Sequence, residues 1–288
     1  MAGTDPNGPV QLLELLDAGV LAMLEDLVVQ SGWNQTGDDW RVFGRYGGIS
    51  VVRDSGDRIV ASGAMLPMGA ALQGGTVAWI SMILVTPARR GQGLGRAVFE
   101  DSLRRAQALG HLPMLDATPQ GEPLYRKFGF EPVWRLTRWR RGAVAARAPA
   151  PGPEVADLAA LAALDAQALG FRRAGLLGEL AGRPDSRCVR HAAAIGVVRA
   201  GRIAHQIGPV LAADEAHAAE LVERMASGVE GPMMIDAADD SAGFGLALAA
   251  MGFERQRTFT RMALVGPGQR LPQGDQRLIH AVAGPEFA

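Results

Sequence analysis

The chain repeats itself. Met114-Leu115-Asp116-Ala117 returns as Met234-Ile235-Asp236-Ala237, Phe128-Gly129-Phe130-Glu131 as Met251-Gly252-Phe253-Glu254, and Leu136-Thr137-Arg138 as Phe259-Thr260-Arg261. The matches keep their order, and Gly129 precedes Arg138 by the same interval that separates Gly252 from Arg261. One such match is chance; three in order imply an internal duplication, and a duplicated chain folds as two copies of one plan. A length of 288 residues agrees, at roughly 150 residues per domain.

The plan is mixed. In the first copy Leu21 to Gln30 is apolar at helical spacing. Gly48 to Arg53 and Arg58 to Leu66 predict two strands around a turn at Asp54-Ser55-Gly56-Asp57, and Thr76 to Val85 predicts a long apolar strand. Then come an amphipathic helix over Gly93 to Leu109, a short buried strand at Pro113 to Ala117, and a short helix at Pro123 to Phe128 stopped by Gly129. A last strand is expected at Phe130 to Arg140. The second copy predicts a helix over Val155 to Leu169, strands near Cys188 to Val198 and Arg202 to Leu211, and a helix over Asp214 to Met225. A strand at Met233 to Ala237, a helix at Phe244 to Met251 and a strand at Glu254 to Val265 complete it. The expected class is α/β, each copy a mixed twisted sheet flanked by helices. Gly142 to Pro153, rich in Ala, Pro and Gly, predicts a linker, and Gly266 to Gly274 sets off a C-terminal tail. The expected division is residues 1–141, linker 142–153, 154–266, and tail 267–288.

Composition excludes several function classes. The hydrophobic fraction of 48% suffices for packed cores. Lys+Arg at 29 against Asp+Glu at 30 leaves a net charge of -1, which argues against a nucleic-acid partner. The one cysteine, Cys188, excludes an internal disulfide framework and any cysteine-rich zinc site, so no metal is expected. The most apolar stretch, Leu12 to Leu27, is broken by Glu14, Asp17, Glu25 and Asp26, and Met1 to Leu16 has no secretory pattern. The expectation is a cytoplasmic protein with no membrane partner.

The segment Val85-Thr86-Pro87-Ala88-Arg89-Arg90-Gly91-Gln92-Gly93-Leu94-Gly95-Arg96 runs from an apolar strand through a Gly-rich turn into a helix. Such a turn aims successive backbone N–H groups at one point at the positive end of the helix dipole, an anion site. Glycines let a phosphate approach the backbone, and Arg90 and Arg96 offer charge-assisted hydrogen bonds. No Gly-Lys-Ser/Thr follows, so this is not a Walker loop, and the glycine spacing is not that of a dinucleotide fold. A plain strand-to-helix turn with solvated arginines is the competing reading.

Arg90-x-x-Gly93-x-Gly95 after Val85-x-Pro87 resembles the acyl-CoA pyrophosphate loop of the GNAT acetyltransferases. A second hallmark, Leu124-Tyr125-Arg126-Lys127-Phe128-Gly129-Phe130, follows in the order that superfamily keeps, and the resemblance covers Val10 to Arg141. The whole chain is similar to the YitH-type tandem GNAT proteins, which join a catalytic domain to a degenerate one. The supporting residues are Gly32-Trp33-Asn34-Gln35-Thr36 with Asp39-Trp40, Asp116-Ala117-Thr118-Pro119, Phe259-Thr260-Arg261-Met262 and Ala283-Gly284-Pro285-Glu286.

The resemblance implies acetyl-CoA as acyl donor and a small-molecule or peptide amine as acceptor. It implies that Thr76 to Val85 splays from the next strand and that Ile83, Leu84 and Val85 pair with the pantetheine arm. Arg90, Gly91, Gln92, Gly93, Leu94, Gly95 and Arg96 would hold the pyrophosphate, Thr118 would hydrogen-bond the cofactor, and Tyr125 would be the general acid for the leaving thiolate. A non-catalytic acyl-CoA-binding regulator is the alternative. No base is evident: Thr76 to Val85 has no carboxylate, a water chain, Asp38 or Asp39 stays open, and Asp116 reads as structural because Asp236 repeats it. Trp33, Asn34 and Asp39 suit a cationic acceptor, although Thr36-x-x-Asp39 also matches a helix capping box.

The second copy lacks this chemistry. After Ile207-Gly208-Pro209-Val210-Leu211 its loop reads Ala212-Ala213-Asp214-Glu215, with acids where an anion would bind, and Leu248 stands in the place of Tyr125. It is expected to bind no CoA. His205 and Arg202 face either the interdomain cleft or solvent, and Cys188 reads as a packing residue.

Overall fold

The computed structural model describes residues 8–144, 154–155 and 157–288. The first half runs β1 (Gln11–Leu12), α1 (Ala18–Gln30), α2 (Gly37–Tyr46), β2 (Gly48–Arg53), β3 (Ile59–Ala70), β4 (Thr76–Val85), α3 (Leu94–Ala108), β5 (Leu112–Ala117), α4 (Glu122–Arg126) and β6 (Glu131–Val144). The second runs β7 (Glu154–Val155), α5 (Leu158–Leu169), α6 (Ala174–Ala181), β8 (Arg187–His191), β9 (Ala194–Arg199) and β10 (His205–Ala212). It continues through α7 (Glu215–Ser227), β11 (Gly231–Ala238), α8 (Ala242–Ala250), β12 (Glu254–Ala263) and β13 (Ile279–Ala281).

Local chemistry sets many of these limits. The Asp17 side chain accepts the Val20 N–H at 2.8 Å and starts α1, and Asp214 does the same for α7 through the His217 N–H at 3.0 Å. β4 is apolar on both faces because helices cover both sides of the sheet there. The expected single strand near Cys188 to Val198 is a hairpin, β8 and β9, turning at Ala192 with φ 48. β6 continues through Val144, so the stretch read as linker begins inside a strand; its residues 145–153 lie outside the described residues.

The thirteen strands of the described residues join one sheet, in the order β1-β2-β3-β4-β5-β12-β6-β11-β13-β10-β9-β8-β7. That order is not two sheets side by side. β5 of the first half pairs with β12 of the second, and β6 of the first pairs with β11 of the second. The halves have exchanged their last strands, and β6 and β12 lie against each other at the centre.

The exchange explains the repeated Asp and Arg. Arg261 sits opposite Asp116 and Arg138 opposite Asp236, each across the boundary between halves. Both contacts are two-bond forks, at 2.9 and 2.8 Å for Arg261 with Asp116 and 2.7 and 2.9 Å for Arg138 with Asp236. All four side chains are buried, where an unpaired charge would be costly. Asp116 is thus the buried counter-ion of Arg261, as Asp236 is of Arg138.

The residues after Gly266 are not a detached tail. β13 inserts between β10 and β11, and Ala283, Phe287 and Ala288 pack into the core around Trp40, Phe43 and Trp79 of the first half. Phe287 stacks on Phe43 with ring centres 5.5 Å apart.

Candidate active site

The Gly-rich turn opens α3. Gly91 and Gly93 have φ of 76 and 80, and a Cβ built on either would meet nothing within 4 Å. Left-handed backbone makes glycine the natural residue at both, and the open space leaves the helix end accessible. Gly93 is the N-cap and has no side chain to close it. Gln92 lies between the two glycines. The Leu94 side chain turns into the core beside Val98, and Gly95 lies close to Val85, where a Cβ would be 3.4 Å from Cγ2. Arg90 donates from Nε to the Val85 carbonyl at 3.2 Å, whereas Arg96 donates to Glu100 at 2.8 Å and lies 5.3 Å from the Phe128 ring centre.

Beside the turn the sheet forks. β4 and β5 pair in parallel only from Val77–Leu112 to Trp79–Met114, and beyond that point they diverge. β4 is also irregular on its other edge. Its register against β3 shifts between Ser81 and Leu84, and Met82 takes φ 56, uncommon for a side chain of that size. The Ser62 hydroxyl donates to the Met82 carbonyl at 3.0 Å and holds the bulge. Beyond Trp79, β4 has no β5 partner, and Met82, Ile83 and Leu84 line the fork.

A cavity of about 600 Å³ fills the fork, in the usual range for small-molecule sites. Ile83, Leu84, Val85 and Arg90 line one side, and Thr118, Gly121 and Tyr125 the other. The Thr118 hydroxyl accepts the Gly121 N–H at 3.2 Å. Tyr125 packs its ring 4.8 Å from Phe99 and 6.3 Å from Phe130, and burial pushes its phenol up to about 12. It therefore stays protonated, a donor, across the physiological range.

The acceptor side differs from the sequence reading. Trp33 lines the cavity, but Asn34 does not. The Asn34 amide donates to the Ala204 carbonyl at 3.1 Å and accepts the N–H groups of Ile203 and Ala204, each at 3.0 Å, which clamps the halves together. Asp39 is also taken up: Oδ2 accepts the Thr36 N–H at 2.7 Å and Oδ1 accepts from Arg183 at 2.8 Å. The capping reading describes it, with an added ion pair from the second half. His205 starts β10 opposite Met233 and does not line the cavity.

Gln35, Arg257 and Glu286 also line the cavity, none of them among the expected site residues. The Gln35 Oε1 is buried with no hydrogen-bond partner. Glu286 reaches the fork because Trp79 Nε1 donates to the Pro285 carbonyl at 2.9 Å and the Ser81 hydroxyl to the Glu286 carbonyl at 3.2 Å. Its carboxylate pairs with Arg199 at 3.0 Å, and burial pushes that carboxyl above the ordinary range. Gln35 and Glu286 lay inside the quoted motifs; nothing in the sequence marked Arg257.

The equivalent place in the second half is closed. The Asp214 carboxylate caps the start of α7, Glu215 accepts the Gly243 N–H at 3.2 Å, and Leu248, in the place of Tyr125, is core. β10 and β11 diverge in their turn, but β13 pairs with both and fills that fork.

Residues 45–132 match the model of an acetyltransferase (GNAT) domain, and residues 161–279 match another model of the same description. The chain is a tandem GNAT protein. It is 26% identical over 263 residues to the uncharacterized N-acetyltransferase YitH of Bacillus subtilis (strain 168), across 85% of this chain and 88% of that one. A putative acetyltransferase of Pyrococcus horikoshii shares the fold with a TM-score of 0.76 at 17% identity, covering 97% of this GNAT chain and 96% of its own. A tandem GNAT protein from the clavulanic acid biosynthesis pathway does so with a TM-score of 0.60 at 17% identity, covering 90% and 100%. Among the described residues no helix is long and apolar enough to cross a membrane, and no cluster of His, Cys, Asp or Glu has metal-ligand geometry.

Proposed function

We propose that the first GNAT domain transfers an acetyl group from acetyl-CoA to a primary amine. The observation that carries this reading is one cavity that runs from Arg90, next in sequence to the uncapped glycine turn of α3, along β4 where β5 leaves it, to Tyr125. Acetyl-CoA would supply the activated acyl group as a thioester. The N–H groups of Gly91 to Gly95 suit its pyrophosphate, with Arg90 beside them and Arg96 able to exchange Glu100 for phosphate. Ile83, Leu84 and Val85, on the stretch of β4 that β5 does not pair, suit the amides of the pantetheine arm, and Thr118 offers a hydroxyl.

The amine nitrogen forms the new N–C bond as the C–S bond breaks. Backbone N–H groups near the Met82 bulge would stabilise charge developing on the thioester oxygen. The Tyr125 hydroxyl gives its proton to the departing sulfur. A phenol near 12 is a weak acid, but a thiolate expelled into the same dry pocket is also raised, which narrows the gap. The proton lost by the amine goes to Glu286 or to water.

The test is thiol release from acetyl-CoA across an amine panel, with calorimetry for cofactor binding. Turnover that falls in Tyr125→Phe while cofactor binding holds supports the reading. Tight cofactor binding with no turnover on any amine would replace it with a non-catalytic acyl-CoA-binding regulator.

A further inference from the structure

The inner end of the cavity holds a positive charge that nothing balances. Three guanidiniums in or beside its lining are matched: Arg138, which lines it, with Asp236, and Arg261 and Arg199 with the lining carboxylates of Asp116 and Glu286. Arg257 is the fourth. Among the described residues it makes no ion pair or hydrogen bond, and its Nε is buried without a partner. Burial, and the Arg138 charge beside it, pull it down to about 10, which still leaves it charged at neutral pH.

The fold goes out of its way to put it there. β12 shifts register against β6 between Arg255 and Arg257, so that Gln256 is extra and Arg257 lands opposite Arg138. Bulges of this kind re-aim a side chain. The Arg257 guanidinium lies 4.9 Å from the Phe259 ring centre, and Arg138 lies 5.2 Å from the same ring. Two like charges share one ring; Asp236 holds the first and no protein group holds the second. In the other half of the pseudo-symmetric pair, Trp134 takes the place of Arg257, 4.7 Å from Arg261. The extra cation is therefore no requirement of the shared architecture.

We infer that the acceptor amine also carries a carboxylate, and that Arg257 binds it. The inference rests on the acyl-transfer reading of the same cavity. A planar guanidinium fixed on an aromatic face keeps its edge free for a two-bond contact with a carboxylate, with little side-chain freedom left to lose. The surplus is a single positive charge, and the fields of Asp236 and Glu286 reach Arg257, so a monoanion balances the pocket, whereas a phosphate dianion would leave a buried negative charge uncompensated. The unpartnered Gln35 Oε1 and the Glu286 carboxylate are acceptors, suited to the amine end of the same molecule. The substrate class is an amino-carboxylic acid.

The test uses the full chain with CoA present and a panel of amino acids, each beside its decarboxylated amine, read by calorimetric binding and by acetyl-CoA thiol release. Each acid is expected to exceed its amine by about 30-fold or more in kcat/KM, the amount a desolvated charge pair contributes. Arg257→Gln should collapse that ratio through KM, and Arg257→Lys, which keeps the charge and loses the fork, should restore part of it. A merely structural Arg257 would lower the unfolding midpoint in Arg257→Gln and leave the acid-to-amine ratio unchanged. Amines used as well as acids, or a preference that survives in Arg257→Gln, would overturn the inference. If no amine turns over, binding decides: acids held in an Arg257-dependent way keep the carboxylate site and overturn the transferase, whereas equal binding of acids and amines overturns the site alone.

Discussion

α3 and α7 hold the same place in the two halves, and their first turns have opposite fates. α3 begins on Gly93 with its N–H groups facing open space; α7 begins on Asp214, whose carboxylate already occupies that position. The same contrast runs along the sheet. The fork between β4 and β5 is a cavity, and the fork between β10 and β11 is filled by β13. In the second half the protein itself supplies an anion and an extra strand at the two places that stay open in the first half. The two halves thus keep one architecture while the cleft of one is filled by groups of its own chain.

The comparison breaks most visibly if the halves are separated. Residues 1–144 expressed alone lose β12 from the edge of β5 and the counter-ion of Asp116, so we expect no cooperative unfolding transition, and recovery when residues 145–288 are co-expressed. A stable, monomeric first half would show that the exchange is dispensable. Next in size are the crossed ion pairs. Asp236→Ala and Asp116→Ala each strand a buried guanidinium and should cost about 3–5 kcal/mol by denaturant unfolding. Near-equal costs would support the pseudo-symmetry; a large cost at only one would sharpen it into a division of labour.

Tyr125→Phe should lower kcat by about 100-fold, while Leu248→Ala in the other half should leave the cofactor affinity alone. Because burial holds the phenol at about 12, wild-type kcat should not fall at pH 10, where an ordinary tyrosine is half ionised. A loss there that Tyr125→Phe abolishes would show a phenol in water. The smallest effects separate the two helix ends. Gly93→Ala should cost roughly 1 kcal/mol in left-handed strain and weaken acetyl-CoA binding; Asp214→Ala should cost about 1 kcal/mol as a lost cap and leave that binding unchanged.

Features carried by a few neighbouring residues are legible in the sequence itself. Thr76 to Val85 is β4 to the residue, and Gly93 marks the start of α3, since a strand, a left-handed glycine and a helix are local facts. The repeated Asp and Arg announce the duplication, but not that each Arg crosses to the other copy's Asp. β6 and β12 carry the same pattern, so either could have lain beside β5. Asn34 and Asp39 look like substrate ligands because their true partners, the 203–204 backbone and Arg183, are about 140 to 170 residues away. The segment around Gly266 to Gly274 reads as a boundary by composition, yet it leads into β13 and Glu286, whose place depends on the Trp79 and Ser81 contacts.

The exchanged strands have an evolutionary consequence. Two identical subunits swapping an element around a dyad must carry every mutation twice, so a change that shapes one pocket reshapes the other. Here the partners are links of one polypeptide at fixed stoichiometry, and each position across the dyad mutates alone. That freedom lets position 257 be Arg while its mate at 134 is Trp, and lets one lobe become the wall of its neighbour's cavity.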